Sequence, residues 1–496
     1  MPIAGLAWDD ACEGPLRWGW HASSMAGMSA PPKPSTVEQL RASGWRDRSV
    51  KDELRENFIA RVHDDEQLFA GIIGYDETVI PGLERALLAG HDIILLGERG
   101  QAKTRLIRHL VSLLDEHTPV IAGCEVNDSP YRPICARCRE LLATEGDQTP
   151  VVWLPRARRY AEKLATPDTS VADLIGDVDP IRVAEGRYLS DELTIHYGLV
   201  PRTHRGIFSI NELPDLPERI QVGLLNILEE RDVQIRGYNI RLPLDLMLIA
   251  SANPEDYTNR GRIITPLKDR FGSEVRTHYP EDPIDEIEIM EQEARPAASG
   301  IPVNIPDYIK EILAEFTGAV RRSPHVNQRS GVSVRFSIGN LETVVASAMR
   351  RAVRSGEPEA VPRIGDLSAA VQSSMGRIEF ESFEEGREAE IMGSMLRRAT
   401  LDVFRRRLGG VDLSGILGRF DEEGVEIEVG DLVAATTLLS QIGQVKGLAQ
   451  IMRRLGIEDE SPGKAASALE FALEGLHLSR KINKNPTRTG VRYARA

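Results

Sequence analysis

The sequence predicts an α/β core built on a parallel sheet flanked by helices, followed by a helical lid and a further helical C-terminal region. Three observations predict it. Short apolar runs alternate with helical patterns between residues 69 and 282. A glycine-rich turn at 97–104 stands between one such run and a helix. Beyond about Pro280 the apolar runs fade and helical periodicity takes over.

Composition narrows the class. The 496 residues suit about three domains. Hydrophobic residues at 41% and charged residues at 27% describe an ordinary globular chain. No apolar run approaches the length of a membrane helix, and no basic-then-apolar leader opens the chain, so a cytoplasmic protein is expected. The net charge of −14 disfavours a sequence-independent nucleic-acid binder, and four cysteines are too few for a disulfide framework.

In order, residues 1–35 show no sustained period and are expected to be a disordered tail. Residues 36–68 read as an N-terminal helical segment. A helix through Ala89 is ended by Gly90, and His91 to Leu96 is an apolar run suited to a buried parallel strand. Further strands are predicted at Gly206 to Ile210 and Leu244 to Ala250, with a helix from Arg219 to Glu230. A helical lid is expected over 283–378 and a further helical region over 379–496, its helical block running from Arg387 to about Leu476; Ser479 to Ala496 is a basic stretch without acids, read as a solvated tail.

The loop Gly97-Glu98-Arg99-Gly100-Gln101-Ala102-Lys103-Thr104 carries the clearest chemistry. A strand, a glycine-rich turn and a helix N-terminus aim backbone N–H groups and the positive helix end at phosphate oxygens. Lys103 would reach the β- and γ-phosphates and the Thr104 hydroxyl would ligate Mg²⁺. Ala102 stands where glycine is usual; in helical φ/ψ its methyl should cost little. The strand from Gly206 ends in Asn211-Glu212, where a phosphate-binding ATPase needs an acid for Mg²⁺ and a second to polarise water. Glu212 fits the second role, whereas Asn211 lacks the charge of the first. Asn253, at the tip of a third strand, is placed to orient that water. Arg270 and Arg335 are candidate charge-stabilising groups, one of them acting across a subunit boundary.

In this order the motifs resemble those of AAA+ ATPases of the MoxR and magnesium-chelatase I-subunit branch. The resemblance rests on Ile73-Gly74, the 97–104 loop, Ala165-Thr166-Pro167-Asp168 through Gly186-Arg187, Arg205-Gly206-Ile207, Ala252-Asn253-Pro254, Asp269-Arg270-Phe271 and Ser333-Val334-Arg335. It covers about residues 69–376 and implies a P-loop AAA+ core over 69–282 that binds and hydrolyses ATP with Mg²⁺. It also implies sensor 1 at Asn253, an arginine finger at Arg270 and sensor 2 at Arg335. A homo-hexameric ring, a von Willebrand factor A-domain partner, and hairpins at 165–205 and 232–243 follow from the same resemblance. Asn211 departs from the family's pattern and puts the hydrolysis rate in question. An insertion at about 117–160 has no counterpart in that pattern.

Three cysteines fall in that insertion as Cys124-x10-Cys135-x2-Cys138. This spacing suits structural Zn²⁺ with one further donor, for which His117, a partner residue or the distant Cys12 are candidates. Reduced cysteines beside a helix, or a redox pair, are the alternatives.

The leading expectation is an ATP-driven remodelling or metal-insertion protein. A sigma-54-interacting regulator shares this core, but its Gly-Ala-Phe-Thr-Gly-Ala loop is absent. A nucleotide-gated scaffold with very slow hydrolysis, as Asn211 would allow, and magnesium chelatase itself are the other readings.

Overall fold

The computed structural model describes residues 33–178, 194–230, 242–253, 262–295, 300–328, 330–381, 386–421, 424–443, 447–457, 461–488 and 490–495. Most of the expected tail, the middle of the expected 165–205 hairpin (179–193) and nearly all of the second (231–241), together with Cys12, Gly186, Arg187 and Pro254, lie outside the described residues; at the base of the first, Gly176–Val178 pairs antiparallel with Ile195–Tyr197.

Five strands form the central sheet: β1 (Ile93–Leu96), β2 (Tyr160–Leu164), β3 (Gly206–Asn211), β4 (Leu246–Ala252) and β5 (Ser273–Arg276). Their order is β2-β3-β4-β1-β5, and every pairing is parallel. Ile93 pairs with Ile249 on one side and Ser273 on the other, which aligns the C-terminal ends of the central strands. Such ends are where open parallel sheets bind ligands.

The apolar runs are continuous because both faces are covered. Ile94, Leu96, Phe208, Ile210, Leu248 and Ala250 pack on one face with Leu224 and Leu267. The alternate residues Ile93, Leu95, Ile207, Met247 and Ile249 pack on the other with Leu83 and Leu106. Each Ile, Leu, Met or Phe among them contributes roughly 1.5–3 kcal/mol on burial.

The N-terminal segment forms helices Val37–Ala42 and Val50–His63, with Thr36 and Ser49 accepting from N–H groups of the first turn. The second helix docks through a buried ion pair: Arg159 donates two hydrogen bonds to Glu53, at 2.7 and 2.6 Å. In the insertion, strands His117–Ile121 and Val151–Pro155 pair antiparallel around helix Ala136–Glu145. Val37 and Leu40 pack against Val151, so the first helix and the insertion share a small core.

Helices Pro283–Glu293, Asp307–Arg321, Arg335–Ser355, Glu388–Leu408 and Pro462–Leu478 contribute to one hydrophobic cluster running from Met290 to Tyr493. The last of these is buried nearly all round, and its Phe471 stacks on Tyr308 at 4.4 Å. No described helix is long and apolar enough to cross a membrane.

The basic C-terminal stretch is not a solvated tail. Ile482–Pro486 and Val491–Arg495 form a hairpin that adds Ile427–Val429 as a third strand. Ile482 and Tyr493 are buried, which anchors it. Its cations meet acids of the body: Lys484 with Glu474 at 2.7 Å, Arg492 with Glu426 at 3.0 Å and Arg495 with Asp421 at 3.3 Å. The C-terminal region therefore contains a small sheet beside its helices.

Candidate functional site

The loop follows β1 and opens the helix Lys103–Val111. Gly100 takes φ 78°, open to glycine at little cost, and lies against Ser333 of the lid. A side chain at Gly97 would overlap Thr277 Oγ1 and Gln101 Oε1. Ala102 differs from its expectation. It sits at φ 54°, ψ 14°, in the left-handed region, where a methyl costs about 1–2 kcal/mol.

Buried Gln101 staples the loop: its Oε1 accepts from Glu98 N at 2.9 Å and from Thr277 Oγ1 at 2.7 Å. The Tyr75 hydroxyl donates to the carbonyls of Gln101 (3.0 Å) and His278 (2.7 Å). Burial pushes that phenol up to about 12, so it stays a donor at neutral pH. Tyr279 holds the Arg99 carbonyl at 2.8 Å.

The strand tips converge in a chain of polar contacts. Lys103 Nζ donates to Asn253 Oδ1 at 2.8 Å, to the Glu98 carbonyl at 2.9 Å and to the Gly97 carbonyl. Asn253 Nδ2 donates to Glu212 Oε2 at 2.6 Å. Ser251 Oγ donates to Asn211 Oδ1 at 3.3 Å, and Asn211 Nδ2 donates to Glu162 on β2. Glu212 takes φ 57°, a turn that carries its carboxylate back toward Asn253.

A cavity of about 210 Å³ lies beside the loop, lined by Ile72, Ile73, Tyr75, Gly100, Gln101, Ala102, Val334 and Arg335 among others. Arg335 opens the helix Arg335–Ser355 and so brings the lid to the loop. Gly74, at φ 75°, packs against the Asp285 side chain. Thr104 is half-buried in the first turn of the loop's helix. A second crevice, about 360 Å³, is bounded by Gly97, Glu98, Lys268 and Arg276. Arg270 is exposed and lines neither space. Thus Ile73, the loop, Asn211, Glu212, Asn253 and Arg335 are gathered around β1, β3 and β4, while Arg270 is in the lining of neither space. Tyr75, Glu162, Ser251, Thr277 and Tyr279 were not foreseen from the sequence. Thr277 and Tyr279 follow β5 directly, so the position of their strand was the available signal.

The insertion brings its three cysteines together with a residue not foreseen. The sulfurs of Cys124, Cys135 and Cys138 and a carboxylate oxygen of Asp128 all lie within 4.8 Å of one another. His117 is not part of this cluster.

The parallel sheet, the glycine-rich loop that opens a helix and the polar strand tips define an α/β protein with a phosphate-binding loop. A family model described as the Sigma-54 interaction domain matches residues 185–269. The magnesium-chelatase 38 kDa subunit of Acidiphilium rubrum is 31% identical over 238 residues, covering 45% of this chain and 61% of that protein. Subunit ChlI of Nostoc sp. is 26% identical over 262 residues, covering 51% and 64%. The chain is thus similar to magnesium-chelatase subunits, and it spans about three fifths of the length of these relatives. A solved chain from the complex between subunits BchI and BchD of magnesium chelatase aligns with 65% of this chain and 98% of its own, at 22% identity and TM-score 0.34.

Proposed function

We propose that the chain is an ATPase that binds ATP with Mg²⁺ at the 97–104 loop and hydrolyses it. The observation that carries this reading is the run of contacts from Lys103 through Asn253 to Glu212, with Arg335 across the adjoining cavity. The donor set suits a triphosphate: a helix N-terminus, a buried ammonium and glycines too tightly packed to carry side chains. Thr104 and Asn211 would hold Mg²⁺, which supplies charge neutralisation on the phosphates when bound. Lys103 and Arg335 would orient the β- and γ-phosphates, and Ile73 and Tyr75 would wall the nucleoside. Glu212 takes a proton from the attacking water; the new bond forms to the γ-phosphorus as the β–γ bridging bond breaks, yielding ADP and inorganic phosphate. Asn253 fixes the Glu212 carboxylate and so the direction of attack.

At the level of the assembly, we propose a cytoplasmic homo-hexameric ring of the MoxR and magnesium-chelatase type. In it Arg270, exposed and in the lining of neither space beside its own loop, completes a neighbour's site. Hydrolysis would remodel or activate a protein partner, with a von Willebrand factor A-domain protein as the expected companion and metal insertion as one outcome. The pairing of Asn211 with Glu162 favours a second reading, a nucleotide-gated scaffold that turns over very slowly.

Steady-state phosphate release tests the two readings. Turnover that falls about 10²–10⁴-fold in Glu212→Gln with ATP binding kept supports the motor. Binding without turnover in the wild type, restored by Asn211→Asp, supports the scaffold. Turnover unaffected by Glu212→Gln refutes the assignment of the base. For the ring, inactive Arg270→Ala and inactive Glu212→Gln subunits should regain part of the activity when mixed. No recovery would contradict a shared site.

A further inference from the structure

The cysteine cluster in the insertion takes no part in the nucleotide chemistry, and its geometry has a feature ordinary reduced cysteines lack. Cys135 and Cys138 are buried, Cys124 is half-buried, and Asp128 is wholly buried. The two oxygens of Asp128 divide their roles. Oδ2 accepts from the Cys135 backbone N–H at 3.1 Å, while Oδ1 is buried with no hydrogen-bond partner. A carboxylate oxygen left so is costly unless something else meets it. A carboxylate oxygen of Asp128 lies within 4.8 Å of the three sulfurs. A tetrahedral ion with metal–sulfur bonds of about 2.3 Å holds its sulfurs about 3.8 Å apart, so the 4.8 Å cluster needs to contract by only about 1 Å.

The supporting contacts are those a thiolate site needs. The Asp128 N–H donates to Cys124 Sγ at 3.3 Å and the Cys138 N–H to Cys135 Sγ at 3.4 Å, offsetting part of the negative charge. Arg137 donates to the Gly123 carbonyl at 2.8 Å and so holds the Cys124 turn against the helix that carries Cys138.

We infer that Cys124, Asp128, Cys135 and Cys138 form a closed tetrahedral structural zinc site. Three thiolates and one carboxylate select a soft-tolerant tetrahedral ion over Mg²⁺ or Ca²⁺, and four protein donors leave no open position for catalysis. The site is a clasp. Val126, Cys135 and Cys138 belong to the same buried cluster as Phe208 and Ile210 of β3, so the ion would fasten the insertion to the face of the central sheet.

The test is metal analysis of the full-length chain purified without chelator, with thiol titration and thermal unfolding alongside. The account expects one zinc per chain, three thiols that react only after chelation, and a lower melting temperature with chelator. Asp128→Ala should weaken zinc at least about tenfold. Asp128→Cys should keep it, which separates loss of a ligand from loss of the fold. Co²⁺ loading should give the absorption of a thiolate-rich tetrahedral site, altered in Asp128→Cys. Four results would overturn the inference: no zinc after refolding with zinc present; a disulfide among the three cysteines; iron in zinc's place; or zinc unaffected by Asp128→Ala but lost in Cys12→Ser or His117→Ala.

Discussion

Replacing Asn211 with aspartate tests how the strand tips are balanced. Asn211 Nδ2 donates to Glu162, and Ser251 donates to Asn211 Oδ1. Asn211→Asp keeps the acceptor for Ser251 but turns the donor facing Glu162 into a second carboxylate. Two unit charges about 4 Å apart interact by about 1 kcal/mol in water and about 4 kcal/mol at an effective dielectric of 20. Glu162 is exposed and Asn211 half-buried, so solvent screening holds the repulsion to about 1–2 kcal/mol. The lost hydrogen bond adds about 1 kcal/mol. Without Mg²⁺ the variant should therefore lose about 2–3 kcal/mol in urea unfolding. Millimolar Mg²⁺ should restore most of this loss, because the paired carboxylates gain a counter-ion. Glu162→Gln in the same chain should recover it without Mg²⁺, the new amide donating to the carboxylate introduced at position 211 in place of the lost bond. Turnover in Mg²⁺ should rise about tenfold, the equivalent of about 1.4 kcal/mol in the barrier. Unchanged stability in Asn211→Asp, or a loss that Glu162→Gln leaves untouched, would refute the reasoning.

Ala102→Gly should raise stability by about 0.5–1 kcal/mol, since relief at φ 54° exceeds the entropy glycine adds to the unfolded chain; a lower urea midpoint would contradict this. Glu53→Ala should cost about 3–5 kcal/mol because it strands the buried Arg159 guanidinium, and an unfolding free energy within about 1 kcal/mol of wild type would show the pair to be dispensable. Burial, reinforced by Arg205, lowers His204 to about 3, and its Nδ1 accepts from the Asp245 N–H. The unfolded chain therefore takes up this proton near pH 6.5 while the folded chain does not, so stability falls as pH drops from about 6.5 toward 3, by about 2 kcal/mol at pH 5. His204→Asn, which keeps an acceptor, should flatten that slope; an unchanged slope would assign it to other groups.

The core was legible because its residues leave little freedom. Apolar runs such as Ile93–Leu96 are buried on both faces, and Gly-x-x-Gly-x-Ala-Lys-Thr between strand and helix has few structural solutions. The contents of the loop's surroundings were not legible. Tyr75, Thr277 and Tyr279 reach it from elements separated by up to about two hundred positions, and local pattern carries no such information. Asp128 is not legible because metal-ligand spacing signals rest on cysteine and histidine, whereas its place depends on how the 122–135 turn folds over the sheet. The C-terminal hairpin escaped for a third reason. Its basic side chains look solvated when counted, yet Ile482 and Tyr493 suffice to anchor it and Glu474, Glu426 and Asp421 supply the opposite charge. Ala102 shows the converse: the motif located it, but the backbone torsion of a single residue depends on the turn into the helix.

Calorimetric titration of ATP with Mg²⁺ into the wild-type chain and Lys103→Ala, with phosphate release followed in the same samples, tests the central claim most directly. The Lys103 ammonium is held at the tips of β1 and β4, and a charged hydrogen bond to phosphate is worth about 1.5–3 kcal/mol. The account predicts saturable binding and turnover in the wild type, with affinity reduced about 10–150-fold and turnover lost in the variant. Equal binding by the two proteins, or none by the wild type, would contradict it.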